Sequence, residues 1–201
     1  ESITGPTENK AIGQLVGKLR NFFNLIFRTA VVSPSPEENA MYAAASASRN
    51  SACLSRQVGA AVTSKVGELL ATGWNDVPSS GGGLYGKPPL ITILAEDRGD
   101  ERCYALPGTR CHNDAEKRTI ADKIAEALVK ESVLTADKQE RAVQAILKDS
   151  RVKDLIEFSR AVHAEMHAIL GASRVAGDRV IGGKVFVTTY PCYSCARQLL
   201  A

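Results

Sequence analysis

A chain of 201 residues that is 44% hydrophobic and 23% charged has the apolar content of one globular domain with a core, which sets aside fibrous and disordered classes. Lys plus Arg number 25 against 22 for Asp plus Glu, a formal charge of +3 that suits a small anionic ligand and argues against a long polynucleotide groove. No apolar run reaches the roughly 18 residues of a membrane span, the first residues lack a signal peptide's basic and apolar regions, and five cysteines in a metal-type arrangement fit reduced thiols, so no membrane is implied and a cytoplasmic setting is expected.

In chain order, Gly13 to Val32 carries Leu15, Val16, Leu19, Phe22, Phe23, Leu25, Ile26 and Phe27, a dense helix-like apolar run that reads as a face for another domain or subunit. Ser33-Pro34-Ser35-Pro36 breaks it and divides an N-terminal helical and linker segment, 1–33, from a domain spanning 34–201. Glu37 to Cys53 is rich in Ala and good helix formers, and residues 57–64 and 68–74 read as a hairpin turning at Lys65-Val66-Gly67. A long insertion, 76–158, follows. Within it Ala115 to about Ser150 is helical, with Ile120, Ile124 and Leu128 on one stripe, Val143, Ile146 and Leu147 on another, and Thr135 or Asp137 as cap of the second helix. A helix after His163, a buried strand over Lys184–Thr189 and a last helix with Pro191 in its first turn complete the order. The chain begins without Met and stops within that last helix, so these residues are expected to belong to a longer protein, truncated at both ends.

Chemistry concentrates in His163-Ala164-Glu165 and Pro191-Cys192-Tyr193-Ser194-Cys195. Zinc prefers tetrahedral nitrogen and sulfur donors, and a catalytic site uses three of them while leaving a fourth position to water. His163, Cys192 and Cys195 are the three. Glu165, two positions on, shares the cavity without binding the metal and stays free to carry protons, while zinc brings the pKa of its water from 15.7 toward roughly 7. A bare C-x-x-C equally describes a redox pair or half of a structural clip; a helix start after a strand, and an acid with no structural task, favour the catalytic reading. His167 does not make a protease motif, since the order H-A-E-M-H differs from H-E-x-x-H, and it is taken as a packing residue.

With these residues the chain resembles the zinc-dependent cytidine deaminase superfamily, and within it the deoxycytidylate deaminases. Ser51-Ala52-Cys53-Leu54-Ser55-Arg56-Gln57-Val58-Gly59-Ala60-Ala61-Val62 is similar to that family's first helix end and strand, and Thr72-Gly73-Trp74-Asn75 to its G-[YW]-N loop. The resemblance implies an α/β fold with three α/β/α layers around a mixed central sheet, with strands beyond this chain's end. It implies a Zn2+ cofactor, substrate contacts from Asn75 and Ala164, and a homo-oligomer. Trp74-Asn75-Asp76-Val77-Pro78, Gly81-Gly82-Gly83-Leu84-Tyr85-Gly86 and Cys111-His112-Asn113-Asp114-Ala115-Glu116-Lys117 further resemble the deaminase domain of bacterial anti-phage deoxycytidine nucleotide deaminases. Those carry a P-loop kinase-like domain ahead of it, and no phosphate loop occurs in these residues.

The activity so implied is hydrolytic deamination of deoxycytidine nucleotides, dCMP or dCTP, to deoxyuridine nucleotides. A deaminase of tRNA or single-stranded polynucleotide and a non-catalytic zinc module that senses nucleotides are the rivals, and a regulatory nucleic acid stays open as a partner. Gly81-Gly82-Gly83 is either a surface loop or a phosphate-approaching backbone, and Lys87, Arg110 and Arg56 are phosphate candidates that no spacing rule separates. Cys53, Cys103, Cys111 and His112 make up one further tetrahedral set for a second, structural zinc, with independent thiols as the alternative.

Overall fold

Gly59 and Gly73 decide how the layers meet. The computed structural model describes residues 6–79, 82–85 and 100–201, with side chains from residue 10 onward. Strands β1 (Gly59–Thr63) and β2 (Leu69–Trp74) form the expected hairpin, with Gly67 at φ 88 in its turn, where a side chain would be strained. Strand β3 (Lys184–Val187) pairs with β1 on the other side, giving the order β2-β1-β3. Both pairings are antiparallel, so the parallel pairs of the expected mixed sheet are not among these three strands.

Register assigns each face. Ala60 lies opposite Gly73 and Val187, and Val62 opposite Ala71 and Val185. These residues share one face because side chains alternate along a strand. They pack on Ala164, Ala168 and Ala172 of helix α5 (Ala164–Ala176), all three fully buried. A Cβ on Gly73 would stand 2.4 Å from Ala168 N, so the α5 backbone rests directly on the strand. Gly59 points to the opposite face, where a Cβ would stand 1.9 Å from Ala44 O of helix α2 (Pro36–Ser48). Helix, sheet and helix make the three α/β/α layers, held close by glycine and alanine rather than by large side chains.

Local chemistry explains the helix ends. Ser35 and Glu38 form a capping box at the start of α2, with Ser35 N donating to Glu38 Oε2 at 2.7 Å and Glu38 N to Ser35 Oγ at 3.2 Å. The helix stops at Ser48, short of the expected Cys53, because Ser51 Oγ is drawn into a 2.6 Å bond to Asn75 O at the end of β2. Helix α1 (Pro6–Phe27) begins and ends earlier than expected, and its large apolar side chains, Leu15, Phe22 and Phe27 among them, are exposed. Contacts divide the chain into Glu1–Asn39 and Ala40–Ala201. No helix among the described residues is long and apolar enough to cross a membrane.

The insertion folds as α3 (His112–Lys130) packed on α4 (Gln139–Asp149). The second expected stripe holds, with Val143 buried and Ile146 and Leu147 partly so. The first is displaced by one residue: the buried row is Ala121 and Ala125, while Ile124 is exposed. Small side chains let the helices approach closely, which a hydrophobicity stripe weighted toward Ile does not register. Thr135 precedes a 3-10 turn, Ala136–Lys138, that leads into α4, and its side chain makes no capping bond. Strand β3 is shorter and half-buried rather than buried.

Replacing Gly73 by Ala is expected to destabilise the protein by about 2 kcal/mol or more through overpacking against the α5 backbone. Thermal unfolding checks this, with a fall of roughly 4–8 °C expected for a domain of this size; an unchanged midpoint would show that α5 is free to move away.

Candidate active site

Two helix starts bring the metal-type side chains together. His163 is the N-cap of α5, in extended geometry at φ −73 and ψ 149. Cys192 is the N-cap of helix α6 (Tyr193–Leu200), and its Sγ accepts from Cys195 N at 3.4 Å. Pro191 therefore precedes the cap instead of sitting in the first turn, since the cysteine sulfur takes the capping role. Antiparallel pairing of β3 with β1 and the packing of α5 on β1 and β2 bring both helix starts to one site.

The result is a triangle of donors. His163 Nδ1 lies 3.4 Å from Cys192 Sγ and 3.3 Å from Cys195 Sγ, and all three donor atoms are within 4.8 Å of one another. Tetrahedral zinc with the usual bond lengths places nitrogen and sulfur donors about 3.5 Å apart, so imidazole and thiols already stand at the spacing such an ion requires. The donor set fits Zn2+. Burial pushes the Cys195 thiol up to about 12, and the neighbouring charge of Glu165 adds to the effect.

Glu165 is the second residue of α5 and only 3% exposed. It lies close enough to Cys195 to raise that thiol by charge and by a hydrogen bond, yet it stands outside the donor triangle. Glu165, His163 and Cys192 line a cavity of about 250 Å3, just under the roughly 300–1,000 Å3 of small-molecule sites. Asn75, Ala164 and Arg56 line it as well.

Asn75 is both a turn anchor and part of this wall. Its Oδ1 accepts from Val58 N at 2.7 Å and its Nδ2 donates to Arg56 O at 2.8 Å, which leaves one lone pair and one amide hydrogen for a ligand. His167 stays out of the cavity lining. Its Nδ1 lies 3.1 Å from Trp74 N, its ring meets Trp74 edge-on at 4.6 Å, and burial holds it below the ordinary imidazole range, a packing role as expected.

Of the phosphate candidates among the described residues, Arg56 lines the cavity, its Nη1 bonded to Thr189 Oγ1 at 2.9 Å. Arg110 is exposed and not part of the lining. Lys87 and Gly81 lie outside the described residues; Gly82 and Gly83 close a turn in which Gly82 N donates to Ser79 O, so that amide is already used. Cys53, Cys103, Cys111 and His112 line one small cavity of about 30 Å3, but no three of them form a metal-type cluster. His112 instead turns Nδ1 to Phe158 O at 3.1 Å.

Asn113, Ile156, Ser159 and Tyr190 also line the main cavity and were missed from sequence. Ile156 and Ser159 run directly into His163, and Tyr190 adjoins the Pro-Cys pair, so nearness in the chain was the available signal. Asn113 comes from the start of α3, and its signal was its place in the Cys111–Lys117 stretch quoted for the resemblance, which gave it no role.

The model of the cytidine and deoxycytidylate deaminase zinc-binding region matches residues 34–201. The chain belongs to this family. No individual curated protein matches it. Membership makes the cluster of His163, Cys192 and Cys195 a deaminase zinc site in kind, and zinc-dependent deamination the chemistry of the domain.

Zinc must displace the Cys195 proton, so the affinity of this deaminase for zinc is expected to climb with pH by about tenfold per unit for each thiol proton released. Competition with a chelator from mildly acidic to mildly alkaline buffer measures it. A flat profile would mean that the thiols are already ionised in the metal-free protein.

Proposed function

We propose that this deaminase converts a deoxycytidine nucleotide, dCMP or dCTP, and water to the deoxyuridine nucleotide and ammonia. The observation that carries the reading is Glu165: a buried carboxylate beside the donor triangle, facing a nucleoside-sized cavity, and not a member of the metal-binding set. Bound zinc supplies a Lewis acid that makes water nucleophilic near neutral pH. Glu165 carries the two protons of that water in turn, one to ring N3 and then the one left on the new C4 oxygen to the departing amino group. The C4–O bond forms, the C4–N4 bond breaks, and the nitrogen leaves as ammonia.

Around this step the chain's other residues bind and orient. The Ala164 N–H belongs to the first turn of α5, where helix amides lack intrahelical acceptors, and is available to the pyrimidine. Asn75 offers its remaining amide hydrogen and lone pair to the sugar. Arg56, bonded to Thr189 and lining the cavity, is the cation we assign to the phosphate. The resemblance to anti-phage enzymes adds the proposal that the reaction depletes deoxycytidine nucleotides during infection, within a cytoplasmic homo-oligomer.

One observation favours a polynucleotide substrate instead. Tyr190 lines the cavity and is 94% exposed, as an aromatic platform for a neighbouring base would be. Ammonia release from dCMP, dCTP, single-stranded DNA and RNA separates the readings: turnover of the free nucleotides is expected, and turnover of the polymers alone would transfer the assignment. No turnover of any substrate by zinc-loaded protein would favour the sensing module. Glu165→Gln is expected to keep its zinc, read by metal analysis, while turnover falls by roughly 10²–10⁴ or more. Retained turnover would remove Glu165 from the chemistry.

A further inference from the structure

Asp76 is buried to 1% exposure and is held from four directions. Its Oδ1 accepts from Val77 N at 2.9 Å, its Oδ2 from Ala52 N at 3.3 Å, and its backbone oxygen from Val162 N at 2.9 Å. Asn75 precedes Asp76, Cys53 follows Ala52 and His163 follows Val162, so three separate stretches of the cavity wall converge on this one residue. The fourth partner comes from the insertion: Arg102 Nη1 stands 3.4 Å from Oδ2.

Arg102 is itself held in place. Asp100 accepts from its Nε at 3.0 Å and its Nη2 at 2.6 Å, and those bonds keep the Asp100 carboxyl well below the usual carboxylate range. The guanidinium lies over the Tyr85 ring at 4.8 Å and the Tyr104 ring at 5.1 Å, with Nη2 donating to Tyr104 Oη at 3.0 Å. A contact of 3.4 Å restrains little by itself. Asp100 and the two rings restrain the cation beside Asp76, however, and a buried carboxylate that loses its cation is costly.

We propose that Arg102 and Asp76 are a positioning pair, through which the insertion sets the orientation of Asn75 and of the Val162–His163 approach to α5. Neither touches the reacting atoms. Asp76 acts on Asn75, whose amide in turn spans Arg56 O and Val58 N, so the pair governs the wall that receives the nucleotide more than the proton transfer at Glu165. The kinetic consequence rests on the deaminase reading; the structural one does not.

The test uses the zinc-loaded full chain and the variants Arg102→Met, Arg102→Lys, Asp76→Asn and the Asp76→Asn/Arg102→Met double. Arg102→Met is expected to raise KM for the deoxycytidine nucleotide about tenfold with kcat changed less than about threefold and zinc still bound. Arg102→Lys should fall between it and the parent. In the Asp76→Asn background the Arg102→Met change should add less than about twofold, because the two residues act as one unit. Amide exchange should quicken at residues 51–53 and 161–163 in Arg102→Met, and remain at parent rates around Glu68 and Arg179, an exposed pair far along the chain. Parent KM together with parent exchange at those segments, or penalties that multiply in the double variant, would overturn the proposal. If the parent deaminates no deoxycytidine nucleotide, the proposed substrate fails, and exchange alone still decides the pair. Should Arg102→Met not fold, Arg102→Lys and Asp76→Asn carry the same comparison.

Discussion

Two helix N-termini meet at one point, and the site depends on that meeting. His163 caps α5 and Cys192 caps α6, so both donors sit at the positive ends of helices. A dication there would be repelled by both ends if the donors were neutral. Two thiolates reverse the balance, because each gains from the helix field and from the metal at once. Before metal arrives the same place is apolar enough to keep Cys195 protonated, with the Glu165 charge nearby pushing the same way. The donors already stand at ligand spacing, so binding the ion would call for loss of the Cys195 proton more than for movement of the side chains.

Closeness of the layers makes this meeting possible. Gly73 lets the α5 backbone lie on β2, and Ala164 and Ala168 occupy the first turns of that helix with almost no side-chain volume. Helix α5 is therefore positioned by backbone contact near its N-terminal end, where His163 and Glu165 are, rather than by bulky residues farther along. Packing through small residues contributes less burial energy than Leu or Phe would, but it allows little variation in distance.

Where the chemistry follows from local rules, the sequence already shows it. The H-x-E and P-C-x-x-C spacings identified the donor triangle and the separate acid because each motif sits at a helix start, where the geometry is local. The hairpin turn at Gly67 was equally readable. The insertion was not. Ala121 and Ala125 form its buried row, and alanine carries almost no signal in an apolar stripe, so the stripe was drawn through Ile124, which is exposed. Asn75 was legible as a residue with a task, but its bonds to Arg56 and Val58 depend on a loop whose path no spacing rule supplies. The four residues offered for a structural zinc do share a small cavity, yet elimination could not foresee that His112 would turn to Phe158.

The cavity wall is held by polar bonds, and the reason lies in how it is assembled. Its pieces are distant in sequence: residues 51–58, 75–77, the insertion and 156–163. Apolar contact between such pieces would bring them together without fixing their rotation. Hydrogen bonds such as Ser51 Oγ to Asn75 O, Asn75 Oδ1 to Val58 N and Val162 N to Asp76 O specify direction as well as distance. Each contributes only about 1 kcal/mol net, but leaving a buried partner unmatched costs about 1–3 kcal/mol. The penalty for misalignment therefore exceeds the gain from alignment, and that asymmetry, more than the strength of any one bond, keeps Asn75, Glu165, His163 and Cys192 facing the same cavity.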